Sequence, residues 1–160
     1  MLIPVLAAGA LCLLPPVSGS ISGSFSAPPC PYCAGHRTVD WAGPSGRLVR
    51  APVDGRVSFV GWVAGVAYVS IRTGDEPGDA TATIGGLVQW DVAPGATIRA
   101  GAPLGRSGSE PVTLSLRRFA GRTDEVYLDP EPWLGRKGVR LLPNDGSPPR
   151  SGRSVCRVPR

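Results

Sequence analysis

Val66-Ala-Tyr-Val-Ser-Ile-Arg72 alternates apolar and polar side chains and is rich in β-branched and aromatic residues, as a strand with one buried face should be. Working outward, Arg47–Ala51 and Arg56–Trp62 precede it, and Ala80–Ile84, Leu87–Val92, Thr97–Ala100 and Val112–Arg118 follow. All are short and apolar or alternating. Pro52–Gly55, Thr73–Gly78, Pro94–Gly95 and Arg106–Gly108 separate them with turn chemistry. Many short strands at this spacing predict an all-β protein, a single compact antiparallel β-sandwich or barrel-like domain. The 22 Gly and 18 Pro among 160 residues exclude long helices, since both types interrupt helix interiors. No three-residue Gly period exists, which excludes collagen, and an apolar fraction of 42% suffices for a small core.

The net charge of +5 suggests an anionic partner, but its distribution matters more. Residues 25–135 carry 10 Arg against 11 Asp and Glu, a balance of −1, whereas residues 136–160 carry +6. Past Pro143 the chain is Pro, Gly, Ser and Arg with little that is apolar, so residues 143–160 read as a disordered Arg-rich tail. Such a tail suits anionic envelope polymers. Nucleic-acid binding would need basic strands interleaved with aromatics, and only Arg117-Arg118 and the tail are clustered. Trp41, Trp62, Trp90 and Trp133 are spread out, as core or groove-wall residues would be.

Leu2–Leu14 is an uncharged apolar run of 13 residues, too short to span a bilayer and followed by Ser18-Gly-Ser20. Residues 1–24 therefore read as an export signal, residues 25–142 as the domain, and the protein as secreted. Removing the signal takes Cys12 with it and leaves Cys30, Cys33 and Cys156, one disulfide and a leftover thiol. Three pairings are open, and Cys30–Cys33 is the local one.

Four blocks in the domain resemble the LytM/lysostaphin-like zinc endopeptidases of peptidoglycan. Gly35-His36-Arg-Thr-Val39-Asp40 is similar to that family's G-H-x-G-V-D, and Asp54-Gly55-Arg-Val57 to its D/A-G-x-V. Val92–Gly108, with Gly and apolar residues at three-residue steps, resembles V-x-x-G-x-x-V-x-x-G-x-x-I-G. Tyr127-Leu-Asp129-Pro130 before Trp133-Leu134 resembles the closing N/D-P-x-x-x-L, in a form that looks actinobacterial. The resemblance implies a β fold with a groove. It also implies a zinc held by the His and Asp of H-x-x-x-D and by the second His of a later H-x-H, whose first His helps activate the metal-bound water.

His36 and Asp40 match two of those ligands. The H-x-H strand should be Val112–Arg118, and anchoring on Leu116-Arg117 puts Pro111 and Thr113 where the two His belong. The pleat then turns Val112, Leu114 and Leu116 to the core and Thr113, Ser115 and Arg117 to the groove. A shifted register would offer Thr113 and Ser115 instead. Either way His36 is the chain's one histidine, and a Thr hydroxyl is a poor zinc ligand beside an imidazole. Asp40 or Glu110 would have to serve as base. The expectation is a degenerate metal site and an inactive domain that binds wall peptide or regulates a wall hydrolase through Ser115 and Arg117 of its groove. The alternative is an active zinc endopeptidase with unorthodox ligands. His36 and Asp40 either retain weak metal binding or hydrogen-bond each other at a strand end.

Cys30-Pro-Tyr-Cys33 also equals the C-P-Y-C of glutaredoxins, a chemistry that needs a helix after a strand, and no helical period follows it. Cys30, Cys33, His36 and Asp40 could instead hold a structural zinc if the thiols stay reduced. A structural disulfide is the preferred reading.

Overall fold

The computed structural model describes residues 11–30, 32–75, 79–119 and 125–135. It contains nine strands: β1 (Val39–Trp41), β2 (Leu48–Arg50), β3 (Gly55–Val63), β4 (Val66–Arg72), β5 (Ala80–Trp90), β6 (Thr97–Ile98), β7 (Pro103–Ser107), β8 (Val112–Phe119) and β9 (Glu125–Leu128). A 3₁₀ turn at Glu131–Trp133 follows. The all-β, antiparallel expectation holds. The strands join in one sheet with the order β1-β8-β5-β4-β3-β6, while β7 pairs with β2 and β5, and β9 pairs with β8. Among the described residues no helix is long and apolar enough to cross a membrane.

The alternation in β4 sets the two faces. Ala67, Val69 and Ile71 are fully buried, and so are Ala82 and Ile84 of β5 and Val112, Leu114 and Leu116 of β8. Tyr68, Ser70 and Arg72, Thr81 and Thr83, and Thr113, Ser115 and Arg117 point the other way. The side-chain period of two thus makes one apolar face and one polar face. Trp41 is the largest fully buried side chain. Trp62, by contrast, is 56% exposed and meets Trp90 edge to face at 5.9 Å, so it is neither core nor groove wall.

Two sequence segments, Ala80–Ile84 and Leu87–Val92, fuse into the single strand β5. Gly85 and Gly86 do not break it, because close packing holds them there. A β-carbon on Gly85 would lie 2.5 Å from the Tyr68 ring and 2.7 Å from the Thr113 hydroxyl. Gly86 has φ 84° with the Pro111 carbonyl against it, a position only glycine fills without strain. β1, β7 and β9 have no sequence counterpart. They are short and their pairing partners are distant in sequence. β3 and β4 join through Ala64 (φ 50°) and Gly65 (φ 83°), the positive-φ pair of a tight hairpin.

Residues 11–24, the described part of the expected signal, pack on the domain. Leu13 is fully buried and Val17 nearly so. The Leu13 N–H donates to the Trp133 carbonyl at 2.9 Å, and the Gly135 N–H donates to the Leu13 carbonyl at 2.7 Å. Gly23 bridges Asp40, and Ser26 bridges His36. The expected tail, 143–160, lies outside the described residues.

Candidate functional site

His36, Thr38 and Asp40 belong to one segment that enters β1 through a bend at Thr38, and their side chains meet. Backbone hydrogen bonds fix both ends of the segment: His36 pairs with Ser26 in both directions, and the Asp40 N–H donates to the Gly23 carbonyl. Asp40 is the register partner of Thr113 on β8. Thr113 in turn faces Gly85, and Gly85 faces Tyr68.

The three side chains satisfy one another. His36 Nε2 lies 2.9 Å from Asp40 Oδ2. The Thr38 hydroxyl donates to Asp40 Oδ1 at 2.6 Å and lies 3.2 Å from His36 Nε2. The His36 side chain is 43% exposed and that of Asp40 17%.

Thr38 is a site residue that the sequence pattern alone does not single out. It stands where the G-H-x-G-V-D signature has its second Gly, and its hydroxyl contacts both expected ligands. The departure is visible in the sequence; its consequence needs the geometry. Thr113 lies across from Asp40, and Pro111 sits just before β8, at the backbone of Gly86.

A catalytic zinc wants three protein donors and an open position. Here the donors are one imidazole, already hydrogen-bonded, and one carboxylate, with a Thr hydroxyl opposite. Among the described residues no group of three or more His, Cys, Asp or Glu converges. The residues present do not fit the metal.

Cys30 and Cys33 form a disulfide with Cα atoms 5.0 Å apart, within the loop that the Ser26–His36 bridge closes. Two of the alternatives fail on this. Sulfurs bonded to each other cannot ligate a structural zinc, and the pair sits in a turn rather than at a helix N-terminus. Cys12 is disulfide-bonded as well, and Cys156, the thiol left over when Cys30 and Cys33 pair, lies outside the described residues.

Beside this cluster runs a groove of about 530 Å³. Its floor is a line of hydroxyls across successive strands: Ser115 faces Thr83, and Thr83 faces Ser70. The Ser70 and Thr83 hydroxyls are 2.8 Å apart. Phe59, Val63, Tyr68 and Tyr127 form apolar walls, and Arg37 and Arg117 also line it. Arg37 lies over the Tyr127 ring at 5.6 Å. Ser115 and Arg117, named from the sequence, are therefore in the groove. The other members come from β3, β4, β5 and β9 and from the segment before β1, whose alignment does not follow from alternation.

The all-β fold, with its groove beside an H-x-x-x-D pair, is related to that of peptidoglycan hydrolases. The sequence model of peptidase family M23 matches residues 34–130, and the chain belongs to that family. No curated protein matches it significantly by sequence. Among solved structures it is similar to Helicobacter pylori Csd3, with TM-score 0.66 and 22% identity over 84% of this chain, although it spans only 38% of Csd3. It is also similar to the catalytic domain of the prophage-encoded M23 protein EnpA of Enterococcus faecalis (TM-score 0.58, 24% identity, 77% of this chain and 97% of that one). A third is the catalytic domain of lysostaphin from Staphylococcus simulans (TM-score 0.57, 17% identity, 71% and 90%).

Proposed function

We propose that this chain is a non-hydrolytic M23 domain of the cell envelope that works by holding wall peptide in its groove. The observation that carries this reading is the closed His36–Thr38–Asp40 network with Thr113 opposite. It gathers one imidazole and one carboxylate and, among the described residues, supplies no third metal donor. The chain has no second imidazole, and among the described residues no further acid joins the pair to activate water. Groove recognition then works by shape and hydrogen bonding. Function outside the cytoplasm is supported by the disulfides at Cys30–Cys33 and at Cys12, which persist in oxidising compartments. The basic C-terminal segment adds attraction to anionic envelope polymers.

The test is metal analysis and a muropeptide-release assay on one purified sample, with retention on peptidoglycan at physiological salt. The expected result is substoichiometric zinc, no released muropeptides, and retention. One zinc per chain with cleavage that is lost in His36→Ala would overturn the proposal in favour of an active peptidase with unorthodox ligands.

A further inference from the structure

The outer edge of β3 is covered at one end only. β6 pairs with Gly55 and Arg56, and Val57 donates to the Ala96 carbonyl and accepts from the Gly95 N–H. A bulge then shifts the register between Val57 and Phe59, and from Phe59 to Val63 the strand pairs with β4 alone among the described residues. The ladder decides which backbone groups face out. Val63 and Val66 flank the two-residue turn at Ala64 and Gly65, so they form a hydrogen-bonded pair. Such pairs alternate, and Gly61–Tyr68 is the next one. Val60 and Trp62 therefore turn their N–H and C=O groups away from β4. Among the described residues no backbone group meets them there.

Native edges are commonly blunted by charge, proline or a bulge. From Val57 to Ile71 the chain has no charged residue and no proline, and the bulge lies before the open stretch. Phe59, Trp62 and Val63 are 41%, 56% and 51% exposed. A lipid surface would cover these side chains, but hydrocarbon leaves the outward N–H and C=O groups of Val60 and Trp62 unsatisfied. A second β-strand covers the side chains and pairs the backbone.

The stretch is complementary to itself. Antiparallel pairing about a two-fold axis at Gly61 sets Val60 opposite the partner's Trp62 and Phe59 opposite the partner's Val63. The Val60–Trp62 pairs are the ones whose backbone groups face outward, so each exchanges two hydrogen bonds across the axis. Every pair outside the centre joins an aromatic to a β-branched residue, a favourable cross-strand combination. Gly61 meets Gly61 at the axis. A β-carbon there would lie 3.2 Å from the Phe59 ring, so in each copy that ring already covers the glycine.

We propose that this edge is a homodimer interface: two copies of the chain join β3 to β3 in antiparallel register about Gly61 and make one continuous sheet. The contact is isologous, and the two-fold axis closes it at two chains. Phe59 and Val63 line the groove, so each copy lengthens the apolar wall of the other's groove with its own Val63 and Phe59.

The experiment is sedimentation equilibrium of the full chain, with amide hydrogen exchange read by NMR. One short strand pairing is small for an interface, so the expected dissociation constant is about 10–100 µM. The mass should rise from that of one chain toward that of two across this range. Where about nine-tenths of the chains are paired, exchange at Val60 and Trp62 should be about tenfold slower than in dilute protein. Val63→Lys sets an ammonium opposite the partner's Phe59 and should weaken dimerisation about tenfold or more, with an unchanged unfolding midpoint. Val88→Lys is the control: Val88 is 55% exposed but lies on β5, and its replacement should leave the dimer intact. A single chain at about 1 mM would overturn the proposal. So would a dimer indifferent to Val63→Lys, one lost equally in Val88→Lys, or one without slowed exchange at Val60 and Trp62. Co-sedimentation of the monomer with phosphatidylglycerol vesicles, lost in Trp62→Lys, would overturn it in favour of a lipid surface.

Discussion

Replacing Leu13 by Ala tests whether residues 11–24 belong to the folded protein. Leu13 is fully buried, and its backbone is tied to Trp133 and Gly135 near the far end of the domain. Leu14 and Pro16 add bonds to Pro52 and Arg50, so the segment cannot easily shift to fill a void. Removing a buried isobutyl group with little relaxation costs about 2–5 kcal/mol. For a domain of this size each kcal/mol lowers the midpoint by roughly 2–4 °C, so a fall of about 4–20 °C is expected. Urea unfolding followed by Trp fluorescence measures the free energy, because Trp41 is only 1% exposed. The urea midpoint should fall with an unchanged slope. Ile21→Ala is the control within the same segment: Ile21 is 37% exposed and should change stability by about 0.5 kcal/mol or less. If Leu13→Ala is as silent as Ile21→Ala, the segment is not part of the core. A mature protein that begins after residue 24, as read by mass spectrometry, would refute the reasoning equally.

Restoring the family's ligand set should restore its metal. The triple variant Thr38→Gly, Pro111→His, Thr113→His opens the network and supplies two imidazoles across from Asp40, and is expected to hold about one zinc per chain by elemental analysis, against little for the single variant Thr38→Gly. Ala64→Asn places Asn-Gly in the β3–β4 turn, where residue 64 has φ 50°, and should stabilise by about 0.5–1 kcal/mol in the same urea assay; destabilisation would contradict the turn geometry.

The fold class was legible because β4 and β8 alternate strictly, and a period of two reports which face is buried without reference to a partner. The strands β1, β7 and β9 were not, since three to five residues carry too little pattern and exist by pairing with distant chain. Val39–Trp41, for example, is a strand because Val112–Leu114 lies beside it. Gly85-Gly86 read as a break between strands and became the middle of one, because Tyr68, Thr113 and Pro111 leave no room there for a side chain.

The sequence by itself determined that the site lacks the further imidazoles of its family. One histidine is a count, and no fold can add a second. Its resemblance to the family matches Pro111 and Thr113 to the missing positions, and the pleat puts Ser115 and Arg117 on one face, where both line the groove. Only the tertiary structure decided what surrounds the remaining pair. The Thr38 hydroxyl reaches both His36 and Asp40 because Ser26 and Gly23 pin the ends of their segment. Arg117, Arg72 and Arg56, as much as 61 residues apart in sequence, became one row only when strand register aligned them. Alternation tells which way a side chain points, but register is a property of pairs of strands. It is set by long-range packing and bulges that no single segment encodes.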